Sequence, residues 1–244
     1  MSPIMPRPAL LFLGILVRLA AGAEEDPFDL FLLVRTYSPG FCKKESSAFT
    51  VHGLWPLFAN STNPQYCKIV NATGLLPPDT AELHCKWKSF KGPDEAFWEH
   101  EWVTKGTCAE HVLGDRPTFF RTVLELDEVY ELNGALAAHN VTPSDTHSYA
   151  ADDLLNAVSD SYGAAPLLIC KGKSLVSIRM CLSLDLKPIP CPPALESECG
   201  AKVNLPEGAP VEAACSRFFP PPGQASKRAD LVHGTGAGAA VAVA

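Results

Sequence analysis

Beyond residue 23 the sequence has no apolar run approaching the roughly 20 residues that a helix needs to cross a bilayer. The early run, Ala9 to Val17, is itself too short and is closed by Arg18. The pattern argues against a membrane-spanning helix. Positive charge is also scarce: 20 Lys and Arg face 27 Asp and Glu, for a formal net charge of −7. A broad polybasic face is therefore not expected, and a nucleic-acid ligand has to be held by a small local site. Two-residue cysteine spacings are missing although nine cysteines are present, so a ribbon-type zinc site has no ligand pairs to build on.

What is present starts with an export leader. Arg7 precedes the apolar run, and Ala21-Gly22-Ala23 gives the small-x-small pattern that a signal peptidase accepts. We read residues 1–23 as a signal peptide, 24–223 as one domain and 224–244, a Gly/Ala/Val-rich tail with little bulky apolar material, as disordered. In an exported chain nine cysteines read as a disulfide framework with one left over. The triplets at Asn60, Asn71 and Asn140 suit N-glycosylation, with Pro143 disfavouring the third. A secreted protein, or one held in an endomembrane lumen such as a vacuole or lysosome, follows from these features.

Phe28 to Tyr37 is dense in Phe, Leu and Val without alternation and predicts a strand buried on both faces. Phe49 to Gly53 predicts another. Short helices are expected over Asp79 to Trp87 and Asp94 to Trp102, each started by an Asp that can cap free backbone amides. From Pro117, the residues Phe119, Phe120, Val123, Leu126, Val129 and Tyr130 lay an apolar stripe along one helix face, and Ala151 to Val158 repeats the pattern. Ala165 to Cys170 and Leu175 to Leu184 read as paired strands around a Lys171-Gly172-Lys173 turn, followed by a Pro- and Gly-rich region to Pro222. The sum is an α+β fold: a central antiparallel sheet with several surrounding helices, braced by disulfides.

Two segments concentrate reactive side chains. One is Val51-His52-Gly53-Leu54-Trp55-Pro56; the other is Phe97-Trp98-Glu99-His100-Glu101-Trp102-Val103-Thr104-Lys105-Gly106-Thr107-Cys108. Together they gather two histidines, two carboxylates, a lysine and three tryptophans. Imidazoles move protons, a cation and a carboxylate manage charge at phosphorus, and indoles stack on bases, so the set suits phosphodiester cleavage. A zinc-protease reading of His100-Glu101 fails, because the position one turn later holds Thr104 in place of a second histidine. His111, three residues beyond Cys108, is the one other histidine with a possible route to the site as a substitute base.

The first segment resembles the I/V-H-G-L-W-P motif of the RNase T2 family. The second is similar to that family's F-W-x-H-E-W-x-K-H-G-T-C except at Thr104 and Lys105, which stand where the family has Lys and His. Leu33 to Cys42 resembles the family's first strand with Thr36-Tyr37 in place of Gln-Trp. The resemblance implies metal-independent transesterification of single-stranded RNA to 2′,3′-cyclic phosphate ends, with no cofactor, no metal and no DNA substrate, by a monomer free of the membrane. It implies that His52 protonates the departing 5′-oxygen, that Glu101 and the neighbouring cation Lys105 stabilise the phosphorane, that His100 holds phosphate, and that Trp55 and Phe97 line the base sites. It also implies the pairs Cys67–Cys108, Cys170–Cys215, Cys181–Cys191 and Cys42–Cys85, leaving Cys199 free.

Lys105 takes the place of the histidine that removes the 2′-hydroxyl proton. An ordinary lysine is unprotonated in only about one molecule in several thousand at pH 7, and general-base catalysis is worth about 10²- to 10⁴-fold, so weakened activity is expected. Burial can depress the amine's pKa, or His100 can serve as base while Lys105 supplies the missing cation. The competing expectation is a catalytically inactive secreted storage, defence or RNA-binding protein on the same fold.

Overall fold

The computed structural model describes residues 28–42, 44–69 and 80–219. The leader, Asn71 and the tail lie outside them. Strand β1 (Leu30–Thr36) is buried along nearly its whole length, as its unbroken apolar run predicts. Phe31 and Leu33 face the helices, while Leu30, Leu32 and Val34 face a second, smaller cluster with Leu57, Leu167 and Cys181. This is the period-2 alternation of a strand with two covered faces.

Strand β2 (Thr50–Leu57) runs antiparallel to β1 and extends past the expected Gly53 to take in Trp55 and Pro56. Strand β3 (Ser148–Ala150), which the sequence pattern does not announce, is followed by the expected pair β4 (Leu167–Lys171) and β5 (Ser174–Leu182). With β6 (Lys202–Asn204) the order is β2-β1-β5-β6-β3, and β4 pairs with β5 as a hairpin. Every pairing is antiparallel except a single parallel step of β5 on β6 at Ser174 and Asn204. Lys171 opposes Ser174, so the turn is the two residues Gly172-Lys173, with Gly172 at φ +64 supplying the left-handed conformation that a tight hairpin needs.

The helices are α1 (Thr80–Lys86), α2 (Asp94–Glu101), α3 (Thr107–Leu113), α4 (Arg116–Val129), α5 (Leu132–Ala138) and α6 (Ala151–Tyr162). A π-helical turn, Trp102–Gly106, joins α2 to α3, so the helix expected to stop at Trp102 continues to Leu113. Asp94 is not the cap of α2: Pro93 holds that position, and the Asp94 carboxylate instead accepts from Ser89 N (2.6 Å) and sits 2.7 Å from His84 Nδ1. Asp79 lies outside the described residues. On α4 the stripe is as expected, with Phe119, Phe120 and Val123 fully buried, and Asp115 caps it by accepting from Thr118 N. Between sheet and helices the buried Arg35 of β1 and Lys86 of α1 share Asp127 of α4, at 4.0 and 3.1 Å.

Two of the expected disulfides form, Cys67–Cys108 and Cys181–Cys191. The other two are replaced. Cys170 pairs with Cys199, not Cys215, because Glu198 N donates to Leu168 O and Leu168 N to Ser197 Oγ, laying that segment along the free edge of β4. Cys85 pairs with Cys215, not Cys42, because the 3-10 turn Ser216–Phe218 packs against α1. Cys42, not Cys199, is the free thiol.

Candidate active site

Two elements meet to form the site. Strand β2 presents His52 and Trp55, and α2 with the π-helical turn presents Phe97, His100, Glu101 and Lys105. They are tied together through tryptophans: Trp87 Nε1 donates to His52 O (2.8 Å), and Trp98 Nε1 donates to Trp87 O (2.6 Å). Gly53 lets the two elements close. A Cβ there would lie 2.2 Å from Glu101 Oε2 and 2.7 Å from Trp55 Nε1, so only glycine permits the approach. The π turn is held by Thr104 Oγ1 donating to His100 O (2.7 Å), by Tyr66 N donating to Thr104 O (3.2 Å) and by the Cys67–Cys108 bridge. Such one-turn widenings recur at functional positions in helices.

Glu101 is the hub. Its Oε2 accepts from Trp55 Nε1 at 2.9 Å and its Oε1 lies 3.8 Å from His52 Nε2. The His52 ring meets Trp55 and Phe97 edge-on, at centroid separations of 5.3 and 5.2 Å. Lys105 Nζ stands 5.6 Å from the Trp55 ring. His100 precedes Glu101 on the exposed side of the same turn. His111 instead packs edge-on against Phe28 at 5.6 Å.

Burial dominates the electrostatics. Glu101, with a side chain only 4% exposed, is pushed up to about 7, against which the Trp55 hydrogen bond and the Lys105 charge act. Burial also lowers Lys105, while the Glu101 charge opposes the shift. His52 falls to about 4 through burial, then through the charges of Arg179 and His100, although the two-fifths of its side chain open to solvent tempers the loss of hydration.

Beside His52 runs a groove of about 450 Å³. Its walls include Trp55, Phe97, Phe41 and Phe90, and its floor is the sheet face carrying Val34 and Arg179. Sequence reasoning found His52, Trp55 and Phe97 but missed the other wall residues and the cations Lys88, Lys91, Lys171 and Arg179. The available signal for Arg179 was its place between Ile178 and Met180 as the one charged residue of its strand. Among the described residues no group of three or more His, Cys, Asp or Glu side chains is placed to hold a metal ion.

The Ribonuclease T2 family model matches residues 28–191, from just before β1 to the second cysteine of the Cys181–Cys191 bridge. The chain belongs to the Ribonuclease T2 family. Among family relatives, Ribonuclease DdI of Dictyostelium discoideum is 29% identical over 206 residues, covering 79% of this chain and 91% of its own. Ribonuclease 1 of Arabidopsis thaliana is 27% identical over 209 residues, covering 77% and 90%. Among solved structures, an RNase-related protein from Calystegia sepium superposes with a TM-score of 0.63 at 26% identity, covering 73% of this chain and 97% of that one. The T2 match contains both reactive segments and all of β4 and β5, and so includes Arg179 as well as His52 and Glu101.

Proposed function

We propose that this T2-family protein is an RNA endonuclease that cleaves single-stranded RNA by transesterification, with activity weakened by Lys105. The observation that carries the reading is the convergence of His52, Trp55, Glu101 and Lys105 beside an aromatic groove. A phosphodiester on that rim has its base against Trp55 or Phe97, where stacking needs no sequence-specific contact. The ribose 2′-oxygen attacks phosphorus as the bond to the 5′-oxygen breaks, and His52 delivers the proton to the departing oxygen. A bound phosphate favours the imidazolium that this step needs, offsetting the burial that holds His52 down near 4. Below pH 7 Glu101 is mostly protonated and donates to a non-bridging oxygen, while Lys105 supplies positive charge, both strongest as the phosphorane forms.

His100 is taken to hold phosphate and to serve as base in place of Lys105, because an ordinary lysine amine is almost fully protonated near neutral pH. Four disulfides suit an oxidising compartment, which makes secretion or an endomembrane lumen the setting for this chemistry. Asn60, an exposed turn residue whose Oδ1 accepts from Thr62, and Asn140 at φ +60 are the described glycan acceptors. A second reading, an inactive RNA-binding protein, is favoured by Lys105 alone.

Mature protein incubated with single-stranded RNA in EDTA between about pH 4.5 and 7.5, beside Lys105→His and His52→Ala, separates them. Cleavage to 2′,3′-cyclic phosphate ends that His52→Ala abolishes supports the enzyme. Cleavage by Lys105→His alone, about 10²-fold or more above the unaltered protein, supports the binder.

A further inference from the structure

Arg179 lies in the middle of the sheet, opposite Val34 of β1 and Leu167 of β4, on the face that floors the groove. A half-buried guanidinium at such a place ordinarily has a carboxylate partner, since removing it from water is costly. Among the described residues none lies within ion-pair distance; Glu198 acts on it only at longer range. Its Nε is buried with no hydrogen-bond partner. Its guanidinium carbon is 5.8 Å from the Trp55 ring, and its charge helps hold His52 in the neutral form. The groove it shares with Lys91, Lys171 and Lys88, the last paired with Glu45 and Glu212, has no carboxylate among its lining residues, in a chain whose net charge is −7.

We propose that Arg179 is a phosphate-binding residue: its guanidinium holds an RNA backbone phosphate from the sheet side of the groove, with that nucleotide's base against Trp55. The proposal deepens the RNA-cleaving reading and rests on it for the identity of the ligand. Chemistry favours arginine here, because its planar fork pairs with two phosphate oxygens while its face stacks on an aromatic ring. Lys171, four residues along β4 from the position opposite Arg179, extends the positive strip along the groove. Arg179 thereby supplies part of the attraction that the substitution of Thr104 for lysine removed.

The test uses the full disulfide-bonded protein, as wild type, Arg179→Gln and Arg179→Lys, with melting curves to confirm that each is folded. The probe is a fluorescein-labelled, fully 2′-O-methylated RNA hexamer, which cannot be cleaved, titrated between about 50 and 300 mM NaCl. We expect Arg179→Gln to bind about tenfold more weakly at low salt and to flatten the slope of log affinity against log salt by about 0.7, the share of one single-strand phosphate. Arg179→Lys restores the slope but only part of the affinity. An unchanged slope and affinity in Arg179→Gln overturns the proposal. Inorganic phosphate, followed through the His52 ring resonances, separates the two readings. If the wild type ignores the hexamer yet binds phosphate in an Arg179-dependent way, the RNA reading falls and the anion site stands. If wild type and Arg179→Gln respond alike to phosphate, or neither responds, the anion site falls.

Discussion

Replacing Glu101 by Gln tests whether burial governs this site. The Glu101 side chain is 4% exposed and its pKa rises from an ordinary 4.5 to about 7 on folding. Below pH 4.5 it is protonated in folded and unfolded chains alike, and no penalty exists. Between 4.5 and 7 the unfolded chain ionises while the folded one does not, so folding stability is lost progressively as pH rises, and the whole cost is in place above 7. Each pH unit of that rise is worth about 1.4 kcal/mol, so the cost is about 3 kcal/mol. Glutamine keeps an oxygen for Trp55 Nε1 to donate to and carries no charge to desolvate. Urea unfolding at pH 4, 6 and 8.5, with disulfides intact, is the assay. We expect the two proteins to match within about 1 kcal/mol at pH 4, and Glu101→Gln to be more stable by about 3 kcal/mol at pH 8.5, while its RNA cleavage is lost. A stability difference that does not change with pH refutes the reasoning.

Gly53→Ala puts a methyl into the Trp55–Glu101 contact; it should cost roughly 1–3 kcal/mol in thermal unfolding and abolish cleavage in the same RNA assay. Cys199→Ser breaks the bridge to Cys170 and should cost about 2–4 kcal/mol, whereas Cys42→Ser should leave stability within about 0.5 kcal/mol. Thiol titration of the denatured protein should find one reactive cysteine, mapped to Cys42. Lys105→Arg, which keeps the charge but cannot act as a base, should retain cleavage within about tenfold, while Lys105→Met should lose about 10²-fold; arginine and methionine failing equally would make the lysine itself the base.

The elements whose patterns are local were legible. β1 announces itself by an unbroken apolar run, α4 by its stripe, and the hairpin of β4 and β5 by Gly172. The two motif segments placed His52, Trp55, Glu101 and Lys105 in one site, because each carries several fixed side chains on a rigid element. What stayed hidden depends on long-range return of the chain. Whether Cys170 meets Cys199 or Cys215 is decided by two hydrogen bonds to Leu168, and no spacing encodes them. The π turn at Trp102–Gly106 was invisible because Val103, Thr104 and Gly106 are weak helix formers, which read as a helix end and not as a widened turn within a longer helix. Arg179 was passed over since a lone arginine in an apolar strand gives no hint of which face it crosses or what lies there.

The four charges of the site explain how an acidic protein can hold an anionic chain. At pH 5 Glu101 is largely neutral and so is His52, with their pKa values at about 7 and about 4, while Lys105 and Arg179 both carry positive charge. The site is then cationic without a carboxylate to cancel it. As pH rises past 7, Glu101 ionises beside Lys105 and removes one positive charge from the phosphate's surroundings. Below 4, His52 gains a proton and the attraction grows further, but the imidazole must also be able to lose it again for turnover. Burial of one carboxylate and one imidazole therefore ties the site's positive charge to pH, greatest below 4 and reduced above 7. The lysine proposed to weaken the base step belongs to the same arrangement: an amine stays charged through the mildly acidic range, where an imidazole does not.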